Sequence, residues 1–130
     1  MNDHPQKKTA TDGRKARGRL AEEAGAHYFV EQGYVILERN WRCRSGEIDI
    51  IAKKDNIIVI VEVRSRSVHS EKYGTAAESV TPRKVKQVRE TAAVYLHRMG
   101  NFNEQVRFDV LAVTMSDDEI AAIEHIVAAF

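Results

Sequence analysis

The segment from Gly46 to Arg66, GEIDIIAKKDNIIVIVEVRSR, constrains the fold most, because it is typical of two β-strands joined by a tight turn. Asp55-Asn56 is predicted to form the centre of the turn, since Asx side chains tolerate the positive φ angles that a two-residue hairpin requires. Lys54 then faces Ile57. In each further cross-strand pair of this antiparallel hairpin, the two residue numbers add up to the same sum. Asp49 therefore falls directly opposite Glu62.

This pairing predicts a concentration of negative charge at one end of the hairpin. Directly opposed residues have Cβ atoms roughly 4.5 to 5.5 Å apart, and like charges placed there destabilise a sheet. A divalent cation held by carboxylate and carbonyl oxygens would compensate. Arg64, two residues beyond Glu62 on the same strand face, would add a fixed positive charge. The arrangement is typical of phosphodiester cleavage.

Two alternatives stay open at this point. Glu62 could form an ion pair at a solvated strand end and bind no metal, because structural ion pairs also perturb carboxylates; its candidate partners are Arg44, Arg64 and Arg66. A four-residue loop from Lys53 to Asn56 would instead place Glu62 opposite Glu47. Spacing alone favours the ion pair.

The composition predicts one soluble domain. A chain of 130 residues with 43% hydrophobic content has enough apolar residues for a single core. The net charge of +1 hides an asymmetry, since all 20 Lys and Arg residues precede residue 108. That distribution allows a basic face for a polyanion. Cys43 is the only cysteine and no apolar run approaches the ~20 residues of a membrane span, so we expect a cytoplasmic protein.

The N-terminal part is predicted to contain an arm and a helix. Residues 1–12 are polar and are expected to form a disordered basic arm, which leaves residues 13–130 as the single domain. A helix is expected from Gly13 to Gln32, ended by Gly33, with an apolar face formed by Leu20, Ala21, Ala24 and Tyr28. Gly18 and Gly25 flank Glu22 on this helix, which indicates close approach of another backbone.

Two strands should bring charged residues to the hairpin end. Tyr34 to Arg42 is rich in β-formers, and Arg39, Arg42 and Arg44 lie near its far end. Ile57 to Val63 is nearly continuous aliphatic, which is typical of a central strand covered on both faces. Glu62 should then be partly buried and require a metal, a cation or a proton. Residues 65–80 are expected to form a loop.

The second half of the chain is predicted to contain another helix and further strands. Thr81-Pro82 is a helix start, and the helix should run to about Met99 before Gly100. Its exposed basic residues, which include Lys84 and Lys86, could contact a phosphate backbone, although such a face is usually only solvated. Residues 106–114 predict a strand. Residues 120–130 are ambiguous, with a strand over residues 123–127 favoured.

Several separated motifs resemble, in this order, the YraN-like bacterial family: Gly18, Ala21-Glu22, Gly33-Tyr34, Asn40, Gly46 to Asp49, Val61 to Arg66, Lys84, Arg107 to Val110 and Ala129-Phe130. That family is largely uncharacterised and is placed with the PD-(D/E)xK endonuclease-like proteins, near the archaeal Holliday junction resolvases. The likeness covers about residues 14–130. It implies an α/β fold with a restriction-endonuclease-like core, a central mixed sheet flanked by helices in α-β-β-β-α-β order.

The resemblance also implies roles for individual residues. Asp49 matches a metal-binding aspartate and Glu62 the second acidic ligand, with the Val63 carbonyl as a further ligand of Mg²⁺ or Mn²⁺. Glu22 matches a helical glutamate that completes some active sites. The implied partner is nucleic acid, with DNA as the expected form, and no membrane. Junction resolvases of similar fold pair as dimers, which makes a homodimer a candidate assembly.

The sequence departs from the family pattern at position 64, where the motif has Lys and this chain has Arg64. A lysine with a depressed pKa can orient or deprotonate the attacking water, whereas arginine stays protonated and supplies only charge and hydrogen bonds. Lys84 or Lys86 could supply an ammonium group from the second helix. A metal-activated water would need no side-chain base.

Two functions that involve nucleic acid remain open from the sequence, besides a protein-interaction domain without affinity for DNA. The first is a divalent-metal-dependent endonuclease, with branched DNA as one substrate class. In this function Arg64 stabilises the charge of the transition state. Six basic residues would seat the nucleic-acid backbone: Arg39, Arg42, Arg44, Arg66, Lys84 and Lys86. The second is a catalytically impaired nucleic-acid-binding or adaptor module that keeps a nuclease-like fold.

Overall fold

The computed structural model describes residues 10–69, 80–100 and 103–130. The elements in chain order are α1 (Ala10–Glu31), β1 (Val35–Cys43), β2 (Gly46–Lys54), β3 (Ile57–Ser67), α2 (Pro82–Met99), β4 (Gln105–Ser116) and β5 (Glu119–Ile126). The strands form one sheet in the order β1-β2-β3-β4-β5. Only the β3–β4 pair is parallel. The predicted mixed sheet and the α-β-β-β-α-β order are confirmed, and β5 follows as an edge strand.

The β2–β3 hairpin has the predicted turn and register. Asp55 and Asn56 both have positive φ angles, 51° and 65°. Lys54 pairs with Ile57, and the ladder continues in the same register to the pair of Ile50 and Val61. The alternative register, with Glu62 opposite Glu47, is therefore wrong. Asp49 and Glu62 occupy the next position beyond the last ladder pair.

The two helices cover opposite faces of the sheet, which explains the apolar run in β3. Buried side chains of α1, including Phe29, pack with Val59, Val61 and Leu111 on one face. On the other face, buried residues of α2 pack with Ile58 and Ile60. Residues 58–61 are all 0% exposed, so β3 is the central strand that its aliphatic sequence predicted.

The helix ends follow the predicted caps. Gly33 has φ 91°, and the N–H of Tyr34 donates to the Phe29 carbonyl at 2.9 Å, as in a Schellman cap. Thr81 caps α2 by accepting the N–H of Lys84 at 3.1 Å. Gly100 ends this helix with φ 70°. The helix α1 begins at residue 10, and most of the predicted disordered arm, residues 1–9, lies outside the described residues.

Three predicted details are corrected or resolved. Leu20 is 42% exposed, so its assignment to the apolar face was wrong, because the buried stripe runs through Ala21, Gly25 and Phe29 and Leu20 lies to one side of it. The strand β3 continues to Ser67 instead of giving way to a loop at residue 65, since residues 64–67 pair with β4. The rest of that expected loop, residues 70–79, is outside the described part. The ambiguous C-terminal segment forms a strand, β5, antiparallel to β4.

Asp109 shows how this fold accommodates a buried carboxylate. It is 0% exposed, and Arg107 donates to both of its oxygens at 2.8 Å. His125 Nε2 lies 2.6 Å from Oδ2, and the Ala128 N–H donates to Oδ1 at 3.0 Å. Burial alone would raise the pKa of Asp109, but these hydrogen bonds hold it below its usual value. Asp109 therefore ties β4 to β5.

The two glycines of α1 should respond oppositely to alanine. A Cβ at Gly25 would lie 2.9 Å from Leu111 Cδ2 and 3.3 Å from Ile50 Cδ1, so Gly25→Ala should destabilise the core by about 1 to 3 kcal/mol, less the helix-propensity gain. At Gly18 nothing lies within 4 Å, so Gly18→Ala should stabilise by up to ~1 kcal/mol. Urea denaturation of both variants checks this. Equal effects at the two positions would contradict the packing described.

Candidate metal centre

Asp49 lies where the β2–β3 ladder ends. The last ladder pair joins Ile50 and Val61, and the next contact is made by a side chain. Asp49 Oδ2 accepts the N–H of Val63 at 2.8 Å. This hydrogen bond fixes the carboxylate between the two strands, at the hairpin end that the sequence predicted.

Carboxylates from a helix and two strands converge around Asp49. Oxygen atoms of Glu22, Glu47 and Asp49 all lie within 4.8 Å of one another. Glu47 and Asp49 come from one strand at a spacing of two, and α1 supplies Glu22 one residue after the fully buried Ala21. Glu62 on β3 is only 4% exposed, and its charge raises the pKa of Asp49. The structure therefore brings together all three predicted carboxylates.

The nearby cations contact the outer carboxylates of this group. Lys84 Nζ lies 3.7 Å and Arg64 Nη1 3.4 Å from Glu62 Oε2. Arg42 Nε lies 2.6 Å from Glu47 Oε2. Within the described residues, Asp49 has no ion pair at all. The acidic group is thus incompletely neutralised at its centre.

Asn40 links two of the carboxylates without adding charge. With its amide nitrogen turned toward the acidic group, Asn40 donates to Glu22 Oε1 at 3.0 Å and to Glu47 Oε1 at 3.2 Å. This orientation is assigned from the hydrogen-bonding pattern, since the opposite one would place three oxygens against each other. Asn40 has φ 51°, a conformation that asparagine tolerates better than most residues. The amide therefore holds Glu22 and Glu47 together.

The pKa values of Asp49 and Glu22 are raised within this group. Burial is the largest cause for Asp49, followed by the charge of Glu62, and together with Glu22 they raise its pKa to about 8 against the opposing effects of the Val63 N–H and Lys84. Burial also raises the pKa of Glu22, and the charge of Glu47 adds to this, while the Asn40 hydrogen bond lowers it. The ionised form of Asp49 is therefore poorly stabilised by the protein alone.

The predicted nucleic-acid contacts divide into two groups. Arg42 and Lys84 contact the acidic group directly, as described above. The others form no ion pair with it among the described residues: Arg39 pairs with Glu23 at 3.0 Å, Lys86 pairs with Glu90 at 3.9 Å, and Arg44 and Arg66 are exposed. Of the two helical lysines considered as replacements for the motif lysine, Lys84 is the one beside Glu62.

Glu47 is the site residue that the sequence reasoning missed. It was considered only as the partner of Glu62 in the alternative register. The available signal was its spacing of two from Asp49, which places both side chains on the same side of an extended strand. Its position is further defined by Gln87, which donates from α2 to the Ser45 carbonyl at 3.2 Å. A Cβ at Gly46 would lie 2.7 Å from Gln87 Nε2, so this helix packs directly on the start of β2.

Comparison with known proteins assigns the family. Residues 21–113 match the profile described as "Uncharacterised protein family UPF0102". A "UPF0102 protein" of Moorella thermoacetica is 46% identical over 118 residues, which cover 90% of this chain and 97% of the relative. One from Pelotomaculum thermopropionicum is 42% identical, with 92% and 98% covered. The chain belongs to the UPF0102 family. The resemblance to YraN-like proteins is thereby confirmed.

A structural similarity accompanies this UPF0102 assignment. A chain described as the "crystal structure of a repair endonuclease from Pyrococcus abyssi" aligns with a TM-score of 0.38 and 20% identity. The alignment covers 91% of this chain and 43% of that one. Among the described residues, neither helix is long and apolar enough to cross a membrane.

The raised pKa of Asp49 predicts a pH-dependent stability. In an unfolded chain the pKa of an aspartate is about 3.9, so folding favours the protonated form of Asp49. The resulting stability is fully present below about pH 4 and is lost as the pH rises through about 8. Without divalent cations, the melting temperature should therefore fall between pH 5 and pH 8 more steeply in the wild type than in Asp49→Asn. Identical slopes in thermal denaturation would contradict this electrostatic assignment.

Proposed function

We propose that this UPF0102 protein is a divalent-metal-dependent nuclease that hydrolyses phosphodiester bonds in nucleic acid. The observation that carries the proposal is the convergence of Glu22, Glu47 and Asp49 within 4.8 Å, beside the buried Glu62. A purely structural ion-pair network would place a cation against each buried carboxylate, as Arg107 does for Asp109. Asp49 has no such partner among the described residues.

The ligand types fit Mg²⁺ or Mn²⁺. Both are hard cations that bind oxygen, and carboxylates are their usual protein ligands. Asp49 and Glu62 would hold the cation together with the Val63 carbonyl, and Glu22 and Glu47 would complete or orient this set. A bound cation supplies Lewis acidity, which activates water and neutralises phosphate charge.

The basic residues at the site suit phosphate chemistry. Lys84 lies 3.7 Å from Glu62 and would supply, in place of the motif lysine, an ammonium group that orients the attacking water. Arg64 would stabilise the charge that develops on the phosphate oxygens. Arg42, with 76% of its side chain exposed, would bind a neighbouring phosphate. DNA, including branched DNA, is the substrate class to test first, and a homodimer would allow two symmetric cuts.

The second candidate is a nucleic-acid-binding module without turnover. It is favoured by one observation, the arginine at position 64 in place of the motif lysine. In that case the protein would bind nucleic acid through its basic residues and would not require a metal. The two candidates therefore differ in whether Asp49 and Glu62 bind a divalent cation.

Metal binding and cleavage should disappear together in the Asp49→Ala/Glu62→Ala variant. Calorimetric titration with Mn²⁺ should show uptake by the wild type and none by the variant, since two of the ligands are removed. Cleavage of labelled linear and branched DNA should be lost in parallel. Absence of Mn²⁺ uptake by the wild type, with equal DNA affinity in both proteins, would contradict the nuclease and support the binding module.

Glu47→Gln should weaken Mn²⁺ binding if Glu47 belongs to the ligand set.

Lys84→Gln should slow catalysis rather than weaken Mn²⁺ binding. Loss of one positioned charged donor at a catalytic site typically lowers kcat by about 10² to 10³-fold. Lys86→Gln is the matched comparison on the same helix, since Lys86 pairs with Glu90 rather than with the acidic group. It should raise KM without changing kcat. Equal kcat values for Lys84→Gln and Lys86→Gln would exclude the catalytic role of Lys84.

A further inference from the structure

The first half of α1 extends beyond the sheet. At Gly25 an added Cβ would press on the core, whereas at Gly18, two turns earlier, it would meet no atom within 4 Å. Ala21 lies between them, is 0% exposed, and is the earliest buried residue of α1 within the described residues. The helix therefore leaves the protein surface just before Ala21. We call residues 13–20 the α1 overhang.

The side of the overhang that continues the sheet-facing stripe is basic. Lys15, Gly18, Glu22 and Phe29 follow one another at i, i+3, i+7 and i+14, which places them along one side of a helix. Arg14 lies on the same side, four residues before Gly18. Phe29 is fully buried in the core, and Arg14 and Lys15 are exposed. The stripe thus changes from apolar over the sheet to cationic next to Glu22.

The overhang is a concentrated and uncompensated positive charge. It contains four cations and no acidic residue: Arg14, Lys15, Arg17 and Arg19. None of these four forms an ion pair with another residue of the described part. Just beyond the overhang the situation changes, because Glu23 is paired with Arg39 at 3.0 Å.

We infer that the α1 overhang binds the phosphate backbone of the nucleic acid that reaches the carboxylate site. This rests on the proposed function only for the identity of the ligand. Charge complementarity selects the occupant, since duplex DNA presents about one negative charge per 1.7 Å of its axis. At 1.5 Å of rise per residue, Arg14 lies about 12 Å along the helix from Glu22. The overhang therefore contacts phosphates beside the scissile one and contributes affinity without taking part in the reaction.

This surface is separate from the basic residues already considered. Those residues lie on β1, on the turn after it, on β3 and on α2, whereas the overhang is part of α1. It also precedes residues 21–113, the segment that matches the family profile.

The test compares the full-length Arg14→Gln/Lys15→Gln variant with the wild type by fluorescence anisotropy on labelled duplex and four-way-junction DNA. If both side chains contact phosphate, binding should weaken by about 30-fold at about 0.15 M salt. The slope of log K against log salt should become shallower by about 1.8. Under cleavage conditions KM should rise while kcat stays unchanged. Thermal denaturation verifies that the variant is folded.

Lys53→Gln/Lys54→Gln is the matched control. It removes the same charge from two adjacent residues at the tip of the β2–β3 hairpin, away from Asp49 along β2. It should leave the salt slope unchanged. If the overhang variant and this control bind DNA equally well, the inference is overturned, even when the wild type cleaves DNA.

The same measurements separate this inference from the proposed nuclease activity. DNA binding that depends on Arg14 and Lys15, in a protein that neither takes up Mn²⁺ nor cuts DNA, would support the overhang and contradict the nuclease. A wild type that binds no DNA at any salt concentration would overturn the inference. Arg14-dependent binding to anionic lipid vesicles in that case would assign the overhang to a membrane surface instead.

Discussion

The site depends on an unfavourable concentration of negative charge at Asp49. Four carboxylates, from Glu22, Glu47, Asp49 and Glu62, meet where β2 and β3 separate, and the central one has no ion pair within the described residues. The same sheet contains a fully satisfied buried carboxylate at Asp109, whose pKa is lowered by its partners. The pKa of Asp49 is raised to about 8 by burial and by its acidic neighbours. A divalent cation bound there would stabilise an arrangement that destabilises the protein alone.

The surrounding fold holds these charges in place through close packing. The Asp55-Asn56 turn sets the register that brings Asp49 level with Glu62. Gly25 allows α1 to approach the sheet closely enough to position Glu22, since a Cβ there would lie 2.9 Å from Leu111. On the opposite face, Gln87 of α2 packs on Gly46 at the start of β2. The Gly46 contact acts directly beside Glu47, and the Gly25 contact acts one helical turn from Glu22.

The sequence predicted the hairpin because its signals are local. Two Asx residues between aliphatic runs determine a turn, and the turn determines the pairing of Asp49 and Glu62. Glu47 was missed because its role depends on Glu22 and Asn40, which are distant in sequence and meet it only when α1 and β1 are packed. Leu20 was misassigned because helical periodicity does not fix the centre of the buried stripe, which runs through Ala21, Gly25 and Phe29. The end of β3 was placed too early, since its last residues are ordered by pairing with β4.

The measurement that tests the account most directly is the anomalous diffraction of protein crystals soaked in Mn²⁺ at near-neutral pH. The account predicts one or more anomalous peaks in contact with Asp49 and Glu62, with oxygen ligands at roughly 2.0 to 2.4 Å. Glu22 or Glu47 should contact the ion or orient a ligand. At saturating Mn²⁺, no peak at this position, or peaks only on unrelated surface carboxylates, would contradict the claim that the acidic group is a metal centre.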